Sequence, residues 1–296
     1  MKGSIFFPFR YNLLMFSIAP LEPINYLVIG HLTRDLTPAG PQLGGTAAYA
    51  GLTAHAFGLK VGIVTSWNAE FPLGNLKKIP IINYPAEQST TFENIYTEKG
   101  RVQVIHEVAP RLDFHLIPEP WRQAPIVHLG PIAQEVEPGL VRRFPTSLVG
   151  ITPQGWMRGW DESGLVSPSE WPEATFTLRQ VGATVIGIED VLNDESRIEE
   201  MASAARILVV TEGPAGARVY WNGDVRRFHA PKVEELDSTG AGDIFAAAFF
   251  IRLYLTRDPW ESARFACQIA SVSVTRHGLD SIPTAEEIQE HLVEVF

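Results

Sequence analysis

A single cysteine, Cys267, stands among 296 residues, so no internal disulfide can staple the fold and no cysteine pair is available to a metal. It falls in an Ala-rich stretch with a helical pattern, where inert core is the expected role. Such thiol poverty fits a reducing cytoplasm. Basic clusters are equally scarce. Lys77-Lys78, Arg142-Arg143 and Arg226-Arg227 are isolated pairs set against a net charge of −10, which argues against a nucleic-acid surface. No apolar run approaches a membrane span, and the eight histidines show no metal-ligand spacing. The turn at Gly30 lacks the Gly-x-Gly-x-x-Gly spacing that lets a pyrophosphate reach a helix start, so dinucleotide binding is a poor reading. Internal repeats and low-complexity linkers are missing too, which points to one main domain.

Residues 1–23 are set apart as an N-terminal extension. Met1 to Leu21 is rich in Phe, Leu and Ile with Lys2 near its start, superficially a secretory signal. Pro8 and Arg10 interrupt the apolar run before it reaches the length such a signal needs. Met15 offers an alternative start, with residues 1–14 as an extension outside the fold.

The remainder, 24–296, has the make-up of a globular chain: across the sequence 45% of residues are hydrophobic and 20% charged. Short apolar, branched runs recur at Asn25–Gly30, Lys60–Thr65, Ile126–Gly130, Ser147–Ile151, Thr184–Ile188 and Ile207–Thr211. Helical patterns at Thr46–Phe57, closed by Gly58, and at Asp194–Ala205 alternate with them. The expectation is an α/β fold, a largely parallel central sheet with helices on both faces. Two hairpins interrupt the alternation. Asn222-Gly223 between Ala217–Trp221 and Val225–His229 is a strong two-residue turn signal. Thr91–Thr97 and Arg101–His106 flank Glu98-Lys99-Gly100; with strand material near 36–43, the segment 91–106 is expected to form a small β lid. Asp258-Pro259-Trp260-Glu261 reads as a helix start running to His277, with Gly278 as its stop, and Thr284 with Glu287 opens a last helix.

The chemistry concentrates at Asp237-Ser-Thr-Gly240-Ala241-Gly242-Asp243, which runs straight into the apolar segment Ile244–Leu255. Glycines before a helix start let backbone N–H groups point at an anion, and the helix dipole adds positive character there. Asp243, on the first turn, is placed to accept a proton from an attacking hydroxyl; the plain alternative is a helix-capping aspartate. Phosphoryl transfer needs such fixed donors where charge accumulates.

This run resembles the carboxy-terminal signature of the ribokinase-like (PfkB) family of carbohydrate and nucleoside kinases, Asp-Thr-x-Gly-Ala-Gly-Asp, with Ser238 in place of Thr. The resemblance extends from about Asn25 to the C-terminus. It implies that Asp243 is the catalytic base and that Gly240, Ala241 and Gly242 form the anion hole. ATP is the implied phosphoryl donor, with Mg²⁺ bridging its phosphates. Asp35 and the paired Gly44-Gly45 resemble the family's segments that hold substrate hydroxyls. Tyr49 departs from the family pattern, which has Asn four residues after the second glycine; an aromatic there either narrows the pocket or stacks on a ring.

Thr211-Glu-Gly213-Pro-Ala-Gly216 resembles the nucleotide-binding turn, and Glu189 the acidic half of a magnesium-organising Asn-x-x-Glu whose Asn is replaced here by Ile186, with Asp190 as a substitute. Gln154-Gly-Trp156-Met-Arg158-Gly-Trp160 is either a local hydrophobic cluster or a pocket wall in which Arg158 meets the substrate. Asn94, Arg101 and Gln103 on the lid hairpin pose the same choice between substrate contact and an exposed polar face. The expected activity is ATP-dependent phosphorylation of a hydroxyl on a small sugar or polyol. A nucleoside kinase of the same fold, or a non-catalytic ligand-sensing relative, are the alternatives. The expected partners are the small polyol and ATP, with neither nucleic acid nor membrane, and a homodimer is left open.

Overall fold

In chain order, β1 (Tyr26–Ile29), β2 (Thr33–Thr37) and β3 (Gly40–Gly44) lead to α1 (Thr46–Ala56), then β4 (Val61–Trp67), β5 (Ile81–Pro85), β6 (Thr90–Thr97) and β7 (Gly100–Glu107). After β8 (Ile126–Leu129), β9 (Leu148–Ile151), β10 (Arg158–Trp160) and β11 (Val166–Pro168) come α2 (Ala174–Gln180), β12 (Ala183–Gly187), α3 (Glu195–Ala204) and β13 (Ile207–Thr211). The chain closes with β14 (Ala217–Trp221), β15 (Asp224–Phe228), α4 (Ala241–Thr256), α5 (Pro259–Ser273) and α6 (Ala285–His291). This computed structural model describes residues 21–68, 72–97 and 100–292.

Nine strands form the main sheet in the order β15-β14-β13-β12-β9-β8-β1-β4-β5. All pairings are parallel except those of the β13-β14-β15 edge. Parallel strands buried on both faces alternate between two cores. In β1, Tyr26 and Val28 join a core with α1, α4 and α5, while Leu27 and Ile29 join the opposite core beside α2 and α3. Gly150 in β9 leaves room for the ring of Phe250 on α4, so helix and sheet approach closely there.

A second sheet, ordered β3-β2-β6-β7, stands apart from the first as a small lid. The expected hairpin at 91–106 lies in it, although Glu98 and Lys99 fall outside the described residues, as do residues 1–20 of the N-terminal segment. Local signals held where the chemistry is local. Asn222 and Gly223 both take positive φ (52° and 83°), the turn a two-residue hairpin needs. Asp258 accepts from the backbone N–H groups of Trp260 and Glu261 to cap α5, and Thr284 with Glu287 forms a reciprocal capping box on α6.

One boundary is corrected. The helix expected to reach His277 stops at Ser273, because the carbonyl of Val274 accepts from the N–H groups of Leu236 and Asp237. Gly278 does not terminate that helix; with φ of +50° it opens a short 3₁₀ turn. Among the described residues no helix is long and apolar enough to cross a membrane.

Candidate active site

The carboxyl ends of β1, β8, β9, β12 and β13 face one edge of the sheet, the edge where open α/β sheets bind ligands. Two helix N-termini are aimed there, those of α1 and α4. Gly45 caps α1 with φ of +88°, and Gly240 caps α4 with φ of +79°. At Gly240 a side chain would collide with the ring of Tyr49, whereas at Gly242 a Cβ would meet nothing within 4 Å. The signature's amides are therefore unequal. The Ala241 N–H donates to the Ser238 carbonyl, so it is committed within the turn. Gly242 is exposed and open to an approaching anion.

Asp243 is the third residue of α4 and does not cap it. Its Oδ1 accepts a 2.7 Å hydrogen bond from the hydroxyl of Thr46 on the first turn of α1. Burial pushes the Asp243 carboxyl up to about 6, against the opposing pull of the Thr46 bond and Arg158, and Asp190 and Asp35 push it the same way as burial. Asp35 lies in β2 of the lid. Burial raises it to about 6 as well, opposed by a 2.8 Å bond from the Thr33 hydroxyl and by Arg158. Arg158, at the start of β10, thus lays its positive charge on both carboxylates while its guanidinium lies 5.7 Å from the ring centre of Phe92. Gly44 crosses so close to the Asp35 carboxylate that a side chain there would strike it.

Asn94 lies two residues beyond Phe92 on β6, hence on the same lid face. Its Oδ1 accepts from Gln103 at 3.0 Å, leaving its amide N–H₂ for a ligand. The side chain of Arg101 is outside the described residues.

The tryptophan loop divides. Trp156 is buried, its ring 5.1 Å from that of Trp171 and its Nε1 donating to the Val136 carbonyl at 2.6 Å, so it is core. Trp160 lines a separate crevice beside His106 and Glu107. From that loop Arg158 acts on the Asp35 and Asp243 carboxylates, and Gln154 donates to that of Asp190. Tyr49, 3% exposed, is packed beneath Gly240 and offers no open face for stacking.

The turn expected to bind nucleotide lies across the sheet. β13 and β1 are four strand spacings apart, about 19 Å, and α4 packs under β8, β9 and β12 between them. At the end of β13, the Thr211 hydroxyl donates to the Ile186 carbonyl at 3.2 Å. Gly213 (φ +55°) has open space around it. Gly216 (φ +100°) is pressed against the Phe228 carbonyl, so its glycine is required by the hairpin's close approach. Glu189 is exposed on the 3₁₀ turn after β12. Its neighbour Asp190 accepts from the Gly187 N–H and the Gln154 amide, each at 2.8 Å, and is the acid whose field reaches Asp243.

Sequence reasoning passed over Thr46 and the contact of Tyr49 with Gly240. The only local hint of the first was a hydroxyl directly after Gly44-Gly45.

Both raised carboxyls keep protons in the folded chain at pH values where the unfolded chain has released them. Stability therefore falls as pH rises from about 4 to about 6, and is not regained above. Asp35→Asn, which removes one desolvated charge, is expected to raise stability at pH 7.5 by roughly 1–3 kcal/mol, with the gain fading toward pH 4. Thermal melts across that range check it; a lower melting temperature at pH 7.5 would contradict the electrostatic account.

Residues 183–285 match the family model of the pfkB family carbohydrate kinases. Over 247 residues the chain is 29% identical to a cytidine kinase of Thermococcus kodakarensis, spanning 76% of this chain and 87% of that one. It is 26% identical over 291 residues to fructokinase-2 of Solanum lycopersicum, spanning 87% and 85% respectively. Among solved structures it resembles a pyrophosphate-dependent kinase in the ribokinase family complexed with a pyrophosphate analog and myo-inositol. There the TM-score is 0.75 at 19% identity, covering 90% of this chain and all of that one. Arabidopsis thaliana ribokinase complexed with ribose and ATP superposes with a TM-score of 0.69 at 16% identity, covering 92% and 99%. The matched segment holds the glycine-rich signature, and the described fold is that of ribokinase-family structures, so the chain is similar in sequence over 183–285 to the pfkB family of carbohydrate kinases and in fold to ribokinases.

Proposed function

We propose that the protein transfers the terminal phosphoryl group of ATP to a hydroxyl of a small sugar or polyol. One observation carries this reading: a half-buried carboxylate with raised affinity for protons, Asp243, stands at a helix N-terminus on the sheet edge between the residues read as acceptor end and those read as donor end. Asp35, Gly44, Gly45, Asn94 and Arg158 form the acceptor end, and Thr211, Gly213 and Gly216 the donor end.

In the transfer, the acceptor's O–H bond breaks and its proton passes to Oδ2 of Asp243. The oxygen's electron pair forms the new O–P bond, and the pair of the old P–O bond leaves on ADP. A base tuned to about 6 is ionised at neutral pH yet holds the proton well enough to take it during attack. The Gly242 N–H and the α4 dipole stabilise charge on the moving group, with Gly240 fixing their aim and Ala241 bracing the turn.

Among the described residues no group of three or more His, Cys, Asp or Glu could hold a metal by itself. The exposed Glu189 carboxylate instead suits Mg²⁺, which keeps most of its water and takes few protein ligands. Magnesium, when bound, would supply charge neutralisation at the phosphates.

Release of ADP from ATP with a panel of D-fructose, D-ribose, myo-inositol and cytidine tests the reading, alongside release of inorganic phosphate when pyrophosphate is the alternative donor. The expected result is turnover with at least one sugar or polyol. A ligand at ~100 times its Kd adds about 2.7 kcal/mol of stability, so thermal shifts find binders independently. Strong turnover of cytidine alone would transfer the assignment to a nucleoside kinase, the reading favoured by the 29% identity to a cytidine kinase. Stabilisation by a polyol without turnover on either donor would favour a sensor.

A further inference from the structure

Thr46 has no part in the roles above, yet it is 2% exposed and joins the N-termini of the two helices that meet at the site. It is the first residue of α1, directly after the positive-φ cap Gly45. Its methyl group lies against Gly130 at the end of β8, so closely that a side chain there would strike Thr46 Cγ2. A β-branched residue wedged in this way has little χ1 freedom. With the methyl seated, the hydroxyl points across 197 positions of sequence and donates to Oδ1 of Asp243 at 2.7 Å, the length of a charge-assisted bond.

We propose that Thr46 is a positioning residue for the reaction, its hydroxyl holding Oδ1 of Asp243 so that Oδ2 is presented to the acceptor hydroxyl. The proposal rests on Asp243 being the base. The two oxygens then divide the work: Oδ1 is anchored and Oδ2 receives the proton. Because the donor favours the ionised carboxylate, it also offsets part of the burial that raises this group. The other groups acting on Asp243 are Arg158 from β10, Asp35 from β2 and Asp190 from the turn after β12. The phenols of Tyr26 on β1 and Tyr49 on α1 also feel its charge.

The test uses the full chain labelled with [γ-¹³C]aspartate, the Asp243 signal being identified by its loss in Asp243→Asn. Thr46→Val keeps the shape and removes the hydroxyl; Thr46→Ser keeps the hydroxyl. The Asp243 carboxyl of Thr46→Val is expected to titrate roughly one pH unit above wild type, and that of Thr46→Ser close to wild type. The acid limb of kcat, measured with whichever of D-fructose, myo-inositol or cytidine turns over fastest, should move by the same amount, and KM for acceptor and donor should stay in place. Should Thr46→Val fail to fold, Thr46→Ala is expected to give the same shift without added bulk. A wild-type titration in the hydroxyl-free variants overturns the proposal, as does an equal shift in Thr46→Ser. Near-wild-type turnover of Asp243→Asn would instead remove the base assignment itself, and the carboxyl titration distinguishes the two failures.

Discussion

Replacing Asp243 with Asn is expected to slow phosphoryl transfer by about 10²–10⁴-fold, the usual worth of a positioned acid–base group. Asn keeps the size of the side chain and an oxygen that can still accept from Thr46, so the link between α1 and α4 survives. What disappears is the second carboxylate oxygen, the one proposed to accept the proton. Donor affinity should change little or rise, because a negative charge leaves the neighbourhood of the phosphates. Stability separates this account from a capping role. A cap contributes about 1 kcal/mol by satisfying backbone N–H groups, and its loss would lower the melting temperature. Here the helix cap is Gly240 and the carboxylate's partner is a hydroxyl, while its charge is disfavoured by burial. Asp243→Asn should therefore be at least as stable as wild type above pH 6 while nearly inactive. Turnover close to wild type, measured with the best acceptor in the panel, would remove Asp243 from the chemistry.

The contrast between those two features shows where sequence reasoning reached and where it stopped. The glycine-rich run before an apolar helix is local, and the positive φ at Gly240 and the open space at Gly242 follow from residue types visible in order. The same holds for the parallel runs, for the Asn222-Gly223 turn and for the caps at Asp258 and Thr284. Each is decided within a few residues. Thr46 meets Asp243 from 197 positions away, and nothing in the neighbourhood of either announces the other. The end of α5 is set by Leu236 and Asp237, residues earlier in the chain that claim the Val274 carbonyl. Helix α2 spans only seven residues, too few for its apolar spacing to stand out. β5 is an edge strand with only half-buried or exposed residues, so its alternation is weak. At Trp156 and Arg158, residue types alone left pocket and core equally open. The choice was made by packing: Trp171 covers the first, and two carboxylates draw the second.

Gly240→Ala is expected to damage both fold and activity, and Gly242→Ala to separate the two. At Gly240 the backbone sits in the left-handed region at φ +79°, where an L side chain is strained, typically by about 1–2 kcal/mol. The added methyl would also run into the ring of Tyr49, itself 3% exposed and unable to swing into solvent without vacating the core. The turn must shift, and with it the first amides of α4. Misaiming one such donor typically lowers turnover by about 10²–10³-fold, since its stabilisation is realised only when aligned with developing charge. At Gly242 a methyl meets no protein atom within 4 Å, and replacing glycine inside a helix gains up to about 1 kcal/mol. That variant should melt at or above the wild-type temperature. The open space it fills is, however, the space assigned to the transferred phosphate, so the donor's KM should rise and turnover fall. Melting temperature, kcat and donor KM on the two variants therefore form opposed pairs. If Gly242→Ala kept wild-type kinetics, the phosphate would have to lie elsewhere, since a group bound against that amide cannot share its volume with a methyl.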